Sequence, residues 1–209
     1  MFKNLMTTSA LLISAAAPLL APMVAQAAAN APDALVRQIS ADVIASTKAD
    51  KGIQAGDISR VIQLVDSKVL PFVNFEVMTR SAVGPQWRQA TPEQRTKLQA
   101  EFKTLLTRVY AGALAEIKDQ TVEVTKTLPV ANSTQVVVQS EVRGKGEPIK
   151  LDYRVDKPAG ATDWKIIDVN VGGIWLVQSY RSQFATELGK GGVDGLIAAL
   201  VERNKPGKS

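Results

Sequence analysis

Histidine and cysteine are both absent from this chain of 209 residues. Without histidine the commonest general base is missing, and neither a Ser-His-Asp nor a Cys-His catalytic arrangement can form. Zinc sites built from histidine and cysteine are excluded as well. Without cysteine the chain has no disulfide and no residue that could carry the lipid of a lipoprotein. We therefore expect a protein that is not an enzyme and that holds no metal or cofactor.

Aromatic residues are scarce, at 5% of the chain, and the basic residues are scattered instead of gathered in one run. Nucleic-acid interfaces need clustered cations and aromatic platforms for stacking, so this pattern disfavours a nucleic-acid partner. The formal net charge of +5 suits an anionic membrane surface or an acidic protein partner instead.

The first 27 residues predict a secretory signal peptide. Lys3 is the only charged residue among them, an apolar segment covers residues 11–17, and Ala25-Gln26-Ala27 fits an A-x-A cleavage site. A membrane anchor is the alternative, but two prolines make this segment a weak membrane span. We expect export to the periplasm with cleavage after Ala27. A single domain over residues 28–204 and a disordered basic tail over residues 205–209 should follow.

Helical periodicity marks the first half of the mature chain. One pattern covers residues 32–49, a second begins at a capping Asp57, and a third covers NFEVMTRSAVG. The segment Thr91-Pro92-Glu93-Gln94 predicts a capping box at the start of a long helix with a wide apolar stripe. We expect that stripe to lie against a large apolar surface.

From about Thr121 the apolar period changes from helical to alternating, which predicts strands. Turn-like segments separate four strand candidates, TVEVTKT, TQVVVQSEVR, PIKLDYRVD and DWKIIDVNV. Two helices should follow, the first starting near Ile174 and the second after Gly191-Gly192. This order predicts an α+β domain in which a curved antiparallel sheet of about four strands packs against helices.

Asp168 and Tyr153 are the candidate acid or base residues of an enzymatic alternative. Strict alternation along the fourth strand places Asp168 on the side of Trp164 and Ile166, where apolar surroundings would raise the pKa of its carboxyl. A carboxylate hydrogen-bonded near a turn is the plainer interpretation. The apolar residues as a whole also allow two interpretations, a well-packed core or a cavity for an apolar ligand.

Several long motifs keep a fixed order along the mature chain. They are LPFVNFEVMTRSAVGPQWRQATPEQRTKLQAEFKTLLTRVYAGAL, DWKIIDVNVGGIWLVQSYRSQF and GGVDGLIAAL. Together they resemble the MlaC, or toluene-tolerance, family of periplasmic phospholipid-binding proteins. Trp175 departs from this resemblance, because many members carry a smaller residue there.

The resemblance implies a nuclear-transport-factor-2-like fold with extra N- and C-terminal helices. It also implies a soluble carrier that shuttles phospholipid, as cargo, across the periplasm and so maintains the lipid asymmetry of the outer membrane. Its partners would be an outer-membrane lipoprotein–porin complex and an inner-membrane ABC transporter with an MCE-domain subunit. We expect a monomer. The alternatives are a small-molecule enzyme on the same pocketed fold and a periplasmic adaptor that binds no ligand.

The resemblance also directs the prediction of the site, which should lie between the sheet and the helices. The expected lipid-binding residues are Phe75, Met78, Trp87, Phe102, Leu106, Val109, Tyr110, Leu151, Tyr153, Ile166, Val169, Ile174, Trp175 and Val177. The expected headgroup or partner contacts are Arg80, Arg88 and Arg181. Replacement of Trp175 by serine is expected to alter lipid loading more than folding.

Overall fold

The structure is a computed structural model that describes residues 31–205. The predicted signal peptide, its cleavage site after Ala27 and residues 206–209 of the predicted tail lie outside the described residues. They stay predictions.

The described chain opens with the predicted N-terminal helix, α1, Pro32–Ala49. Asp50 ends it and starts the short helix α2, Lys51–Gln54, by accepting hydrogen bonds from the backbone N–H groups of Gly52 and Ile53. The sequence did not predict this additional turn of helix as a separate element.

Asp57 starts the next helix, α3, Ile58–Leu64, as predicted. Its carboxylate accepts hydrogen bonds from the backbone N–H groups of Ser59 and Arg60, which have no partner inside the helix. The helix passes directly into two turns of different pitch, the π-helical Val65–Val69 and the 3-10 helical Leu70–Phe72.

The long helix α5, Pro92–Ala115, has the predicted capping box. The backbone N–H of Gln94 donates to Oγ1 of Thr91 over 3.2 Å, and the backbone N–H of Thr91 donates to Oε1 of Gln94 over 3.0 Å. Before it lie α4, Phe75–Val83, and a 3-10 helical segment, Gly84–Arg88.

The sheet is antiparallel, and its strands pair in the order in which they occur along the chain. This confirms the predicted α+β fold class, with a fifth short strand beside the four that were expected. The strands are β1 Thr121–Pro129, β2 Gln135–Arg143, β3 Ile149–Asp156, β4 Lys165–Val171 and β5 Ile174–Trp175.

A β-bulge in β4 changes which residues share a face. Val155 pairs with Ile166, but Arg154 pairs with Asp168, so Ile167 is the extra residue. The expectation that Asp168 shares the side of Ile166 is therefore wrong. The extra residue reverses the alternation, so that Asp168 lies on the face of Arg154 while Val169 joins Ile166.

A two-residue turn, Gly172-Gly173, joins β4 to β5. Both glycines have positive φ angles, 60° and 92°, as a type I′ turn requires. The backbone N–H of Gly173 donates to Oδ1 of Asn170 over 2.9 Å. The final helix therefore begins at Leu176, after β5, and the expected start near Ile174 is corrected.

The final helix, α6, Leu176–Arg203, is interrupted where the sequence predicted a break. Gly191 (φ −144°) and Gly192 (φ 61°) have non-helical backbone angles, and Gly192 lies in a region that favours glycine. Within residues 31–205, no helix combines the length and the apolar character that are needed to cross a membrane.

The apolar core has separate centres around the sheet. One joins α5, α6 and the 3-10 segment through Phe102, Phe184 and Trp87, all of them buried. Another packs Val36 and Ile39 of α1 against the sheet residues Val138, Val155 and Ile166. A third joins α2 and α3 to α5. We call the sheet face that carries Val138, Val155 and Ile166, against which α1 packs, the inner face.

Candidate functional site

The two faces of the sheet differ in chemistry because residues that pair across strands share a face. The inner face has apolar pairs, such as Val155 with Ile166 and Tyr153 with Val169. The opposite, outer face has polar pairs, Arg154 with Asp168 and Asp152 with Asn170. Trp175 pairs with Asn170 and so belongs to the outer face.

A band of half-buried apolar side chains lies between the inner face and the helices, and we call it the apolar seam. On the helices, Phe75, Leu106 and Tyr110 pack against the Phe102 core but keep some exposed surface. The sheet side of the seam consists of Leu151, Tyr153, Val169 and Val171. Since Val169 packs against both neighbouring core clusters, the seam is the boundary between them.

The seam continues to the surface at one end of the sheet. Val171 pairs with both Leu151 and Ile174, so Ile174 extends the inner face, and its exposed fraction is 60%. Ile149 lies on the same face at the start of β3 and is 54% exposed. Single exposed aliphatic residues are common, but these two continue an apolar surface that leads inward.

Aromatic rings form the floor of the seam on the helical side. The ring of Phe102 lies 5.7 Å from that of Phe75, 5.0 Å from that of Tyr180 and 5.1 Å from that of Phe184, measured between centroids. The contacts with Tyr180 and Phe184 are edge-to-face, the geometry that aromatic quadrupoles favour. These packed rings line the helical side of the seam, next to its half-buried residues.

Tyrosine hydroxyls are the polar groups that come with the seam. Burial raises the pKa of Tyr153 to about 12, and the neighbouring Asp152 charge acts in the same direction. Burial also raises the pKa of Tyr110 and of Tyr180. These groups stay protonated and neutral near neutral pH, so the seam presents no tyrosinate charge to an apolar ligand.

A groove of about 680 Å³ lies on the outer face. Its walls are α4, the outer face of β3 and β4, the turn between these strands, and Val177 at the start of α6. Charged residues of both signs line it: Arg80, Arg154, Lys165, Asp156, Asp163 and Asp168.

Asp168 is the buried centre of the outer face, with 3% of its surface exposed. Its Oδ1 accepts hydrogen bonds from the backbone N–H groups of Val169 (2.9 Å) and Val177 (3.0 Å). Its Oδ2 lies 3.9 Å from Nη1 of Arg154, whose guanidinium stacks on Trp175. Burial raises the pKa of this carboxyl, and the two backbone donors and the Arg154 charge oppose that effect in part.

Asp168 therefore has a structural task. The backbone N–H of Val177 belongs to the first turn of α6, where helix donors lack partners. Trp175 occupies the capping position and offers no side-chain acceptor to the helix. The carboxylate of Asp168 takes over the role of the cap and ties α6 to β4.

The structure distributes the predicted lipid-binding residues over several environments. Those in the apolar seam are Phe75, Leu106, Tyr110, Leu151, Tyr153 and Val169. Fully packed positions hold Met78, Trp87, Phe102 and Ile166. Val109 (52% exposed) and Ile174 lie at the surface. Trp175 and Val177 belong to the outer face, with Val177 lining the groove and Trp175 stacking on Arg154.

The predicted arginines also separate. Arg80 lines the groove, whereas Arg88 is exposed in the 3-10 segment and Arg181 is exposed near Gly84. The sequence interpretation missed Val171 in the seam, as well as Arg154 and Lys165 in the groove. Alternation along β4 was the available signal for Val171. The pairing of Arg154 with Asp168 depends on the bulge in β4, which alternation alone does not reveal.

The fold and the seam define an α+β protein with a half-buried apolar surface between its sheet and its helices. The model of the MlaC protein family matches residues 37–202 of the chain. Since this match covers most of the sequence, the chain belongs to the MlaC family, which confirms the resemblance of its motifs.

Known relatives agree with this family. The chain is 22% identical over 177 residues to the "intermembrane phospholipid transport system binding protein MlaC" of Haemophilus influenzae, covering 84% of this chain and 83% of the relative. It is 26% identical over 185 residues to the "toluene tolerance protein ttg2D" of Pseudomonas putida, covering 88% and 83%.

A solved structure is similar at higher identity. It is the phospholipid-binding protein from Ralstonia solanacearum in complex with a phospholipid, 45% identical to this chain, with a TM-score of 0.77. The match covers 82% of this chain and 96% of the Ralstonia chain.

Proposed function

We propose that the chain binds phospholipid with its acyl chains in the apolar seam and carries it across the periplasm. The observation that carries this proposal is the 45% identity to a protein solved in complex with a phospholipid, over 96% of that protein. The seam supplies the local reason, since Phe75, Leu106 and Val169 are apolar but incompletely buried.

The energetics of acyl chains explain why a carrier needs such a seam. Each methylene that leaves water contributes about 0.8 kcal/mol, so two chains with roughly 30 methylenes cost about 20 kcal/mol or more to expose. The phosphate has the opposite requirement, because a buried and unpaired phosphate is prohibitively unstable. A seam that opens at Ile149 and Ile174 would let the chains enter while the headgroup remains near water.

Delivery between membranes is the remaining part of the proposal. The Haemophilus relative is named for intermembrane phospholipid transport, and the predicted signal peptide would bring this chain into the periplasm. There the protein would act as a monomer between the outer-membrane lipoprotein–porin complex and the inner-membrane ABC transporter with its MCE-domain subunit. It would thereby help to maintain the lipid asymmetry of the outer membrane.

The arrangement of residues does not favour the enzymatic alternative. Tyr153 lies on the inner face and Asp168 on the outer face, so the sheet separates the two candidate acid or base groups. The two backbone amide contacts of Asp168 assign its Oδ1 to a structural role, and its Oδ2 faces Arg154. A carrier needs no proton transfer, and the proposed function is accordingly not enzymatic.

Native mass spectrometry of the exported protein tests the carrier proposal. Protein purified from cells, or mixed with phospholipid vesicles, should show the added mass of bound phospholipid. Leu151→Trp places a large ring in the seam and should remove most of this bound lipid. The control is Leu128→Trp, because Leu128 pairs with Val137 on the outer face and its ring would not enter the seam. A wild-type protein that never gains phospholipid mass would sink the proposal.

A further inference from the structure

The outer-face groove has space for a ligand of its own. Its volume of about 680 Å³ is far larger than a bare ion needs. Small organic ligands typically occupy pockets of about 300–1,000 Å³. The apolar seam lies on the other face of the sheet, so the groove is a separate site.

Two guanidinium groups in the groove have hydrogen-bond donors to spare. Arg80 is exposed, and its side chain has no protein partner among residues 31–205. The Nε of Arg154 is buried and likewise without a hydrogen-bond partner in the described part of the chain. Stacking at 4.6 Å on the ring of Trp175 restricts the plane of this guanidinium, which orients its donors in advance.

The other charged groups of the groove already have partners. Asp156 accepts from Oγ1 of Thr134 (2.5 Å), and Asp163 accepts from Oγ1 of Thr162 (2.8 Å). The Nζ of Lys165 donates to the backbone carbonyl of Pro71 over 2.7 Å.

Asp168 is committed in the same way, through Oδ1 to two backbone N–H groups and through Oδ2 to Arg154. Over residues 31–205, no cluster of acidic side chains could hold a metal ion. Among the described residues, the groove therefore lacks hydrogen-bond acceptors for two of its donors, the side chain of Arg80 and the Nε of Arg154.

The groove also has apolar walls. Val77, Ile167 and Val177 line it beside the guanidinium groups, and Pro158 and Ala161 line it from the β3–β4 turn. A bare inorganic anion would leave these walls in contact with water. An oxyanion attached to a small organic group would satisfy the guanidinium groups and cover the walls together.

We propose that the outer-face groove binds the phosphate of an organic phosphate ester, with Arg80 and Arg154 as donors and the apolar walls against the organic group. Guanidinium donors match phosphate oxygens in geometry as well as in charge. A phospholipid headgroup and a free glycerol phosphate share this chemistry. Binding of a phospholipid headgroup in the groove rests on the proposed carrier function, whereas binding of a free phosphate ester does not.

An NMR titration of the ¹⁵N-labelled full-length protein tests the site. The probes are glycerol 3-phosphate, glycerophosphoethanolamine and inorganic phosphate, each added at constant ionic strength. Either ester should produce saturable shifts at the Nε–H of Arg154 and the backbone N–H groups of Ser81 and Val177. The esters should bind more tightly than inorganic phosphate. Absence of saturable shifts at the groove with both esters overturns the proposal.

A matched pair of arginine variants separates the site from general charge. Arg80→Gln should weaken ester binding by about tenfold, the effect of losing one charge-assisted hydrogen bond. Arg37→Gln removes the same charge from an exposed position on α1 outside the groove lining, so it should bind the ester as the wild type does. Equal weakening in both variants would show nonspecific attraction and would overturn the proposal.

Lipid loading of the same variants identifies the source of the phosphate. If Arg80→Gln loses bound phospholipid in native mass spectra while Arg37→Gln retains it, the groove holds the headgroup. If both variants stay loaded while Arg80→Gln loses ester affinity, the groove holds a free ester. A wild-type protein that never loads phospholipid rejects the carrier function but leaves the titration result valid.

Discussion

Tyr153 and Arg154 are neighbours in the chain, yet they belong to surfaces with opposite chemistry. On the inner face, Tyr153 joins aliphatic residues whose burial is incomplete. On the outer face, Arg154 meets a buried carboxylate and a stacked indole ring. The inner face is stabilised by the apolar area that it removes from water. The outer face is stabilised by charge-assisted contacts, which depend on the distance and orientation of the groups. The inner surface can therefore tolerate ligands of varied shape, whereas the outer surface should respond to the loss of single atoms.

The largest expected effect on stability comes from the aromatic rings on the helical side of the apolar seam. Phe102→Ala should lower the free energy of unfolding by about 3–5 kcal/mol, because it leaves a cavity among Phe75, Tyr180 and Phe184. Urea denaturation followed by circular dichroism measures the loss. Phe102→Leu fills most of the space and should cost clearly less. If both variants were as stable as the wild type, the floor would not be a packed wall.

Removal of the outer-face carboxylate should have the next largest effect. Asp168→Ala leaves the backbone N–H groups of Val169 and Val177 without their acceptor, at a cost of about 2–3 kcal/mol in the free energy of unfolding. Asp168→Asn retains an oxygen acceptor and should cost less. Equal losses in the two variants would show that the charge, and not the cap of α6, is what matters.

The pH dependence of the same residue has a defined sign. Burial raises the pKa of Asp168 above its ordinary value of 3.8, so the folded protein holds this proton more tightly than the unfolded chain. The stability from this group is then complete below the unfolded pKa and is lost as pH rises through the folded pKa. The wild-type free energy of unfolding minus that of Asp168→Asn should therefore fall as the pH rises above the ordinary pKa of 3.8. A difference that grows instead means that Arg154 and the backbone donors outweigh burial.

The smallest of these effects concerns the stacked indole ring. Trp175→Ser removes the ring over Arg154 and should lower the free energy of unfolding by about 1–2 kcal/mol. Because Trp175 lies on the outer face, phospholipid loading through the seam should not change, contrary to the expectation from sequence. Native mass spectrometry and urea denaturation on the same sample compare the two effects. A strong loss of loading would mean that the two faces are coupled.

The sequence predicted the helices and strands well because their signals are local. The capping box at Thr91 and the cap at Asp57 depend on residues within one turn of each other, and both were confirmed. The break at Gly191-Gly192 and the strand order are likewise local, since short turns force consecutive pairing.

The site was harder to predict because it depends on irregular pairing. The bulge at Ile167 moves Asp168 to the outer face, and no rule of alternation contains this shift. The family resemblance placed Trp175 with the lipid-binding residues, in the apolar run that follows the fourth predicted strand. The short strand β5 places this ring across from Asn170 instead.

The hydrophobic pattern of the sequence also could not distinguish fully buried core residues from the half-buried residues of the seam. Phe102 and Leu106 belong to the same helical stripe, but Phe102 is fully buried and Leu106 only in part. Phe102 is enclosed by rings from α4 and α6, and the sequence of one helix does not encode which side chains of other helices meet it. Fourteen apolar positions could be named from the sequence, but which of them remain incompletely buried required the assembled fold.

The break at Gly191-Gly192 has a consequence for local opening. The segment after it is held through specific ties: Gln94 Nε2 donates to Oδ1 of Asp194 (2.7 Å), and the side-chain amide of Asn204 donates to Glu101. Leu196 and Leu200 add apolar anchors. Because the glycines interrupt helical propagation, this last segment can detach without unwinding the first part of α6. Its amide protons should exchange with solvent as one cooperative unit, faster than those around Phe184.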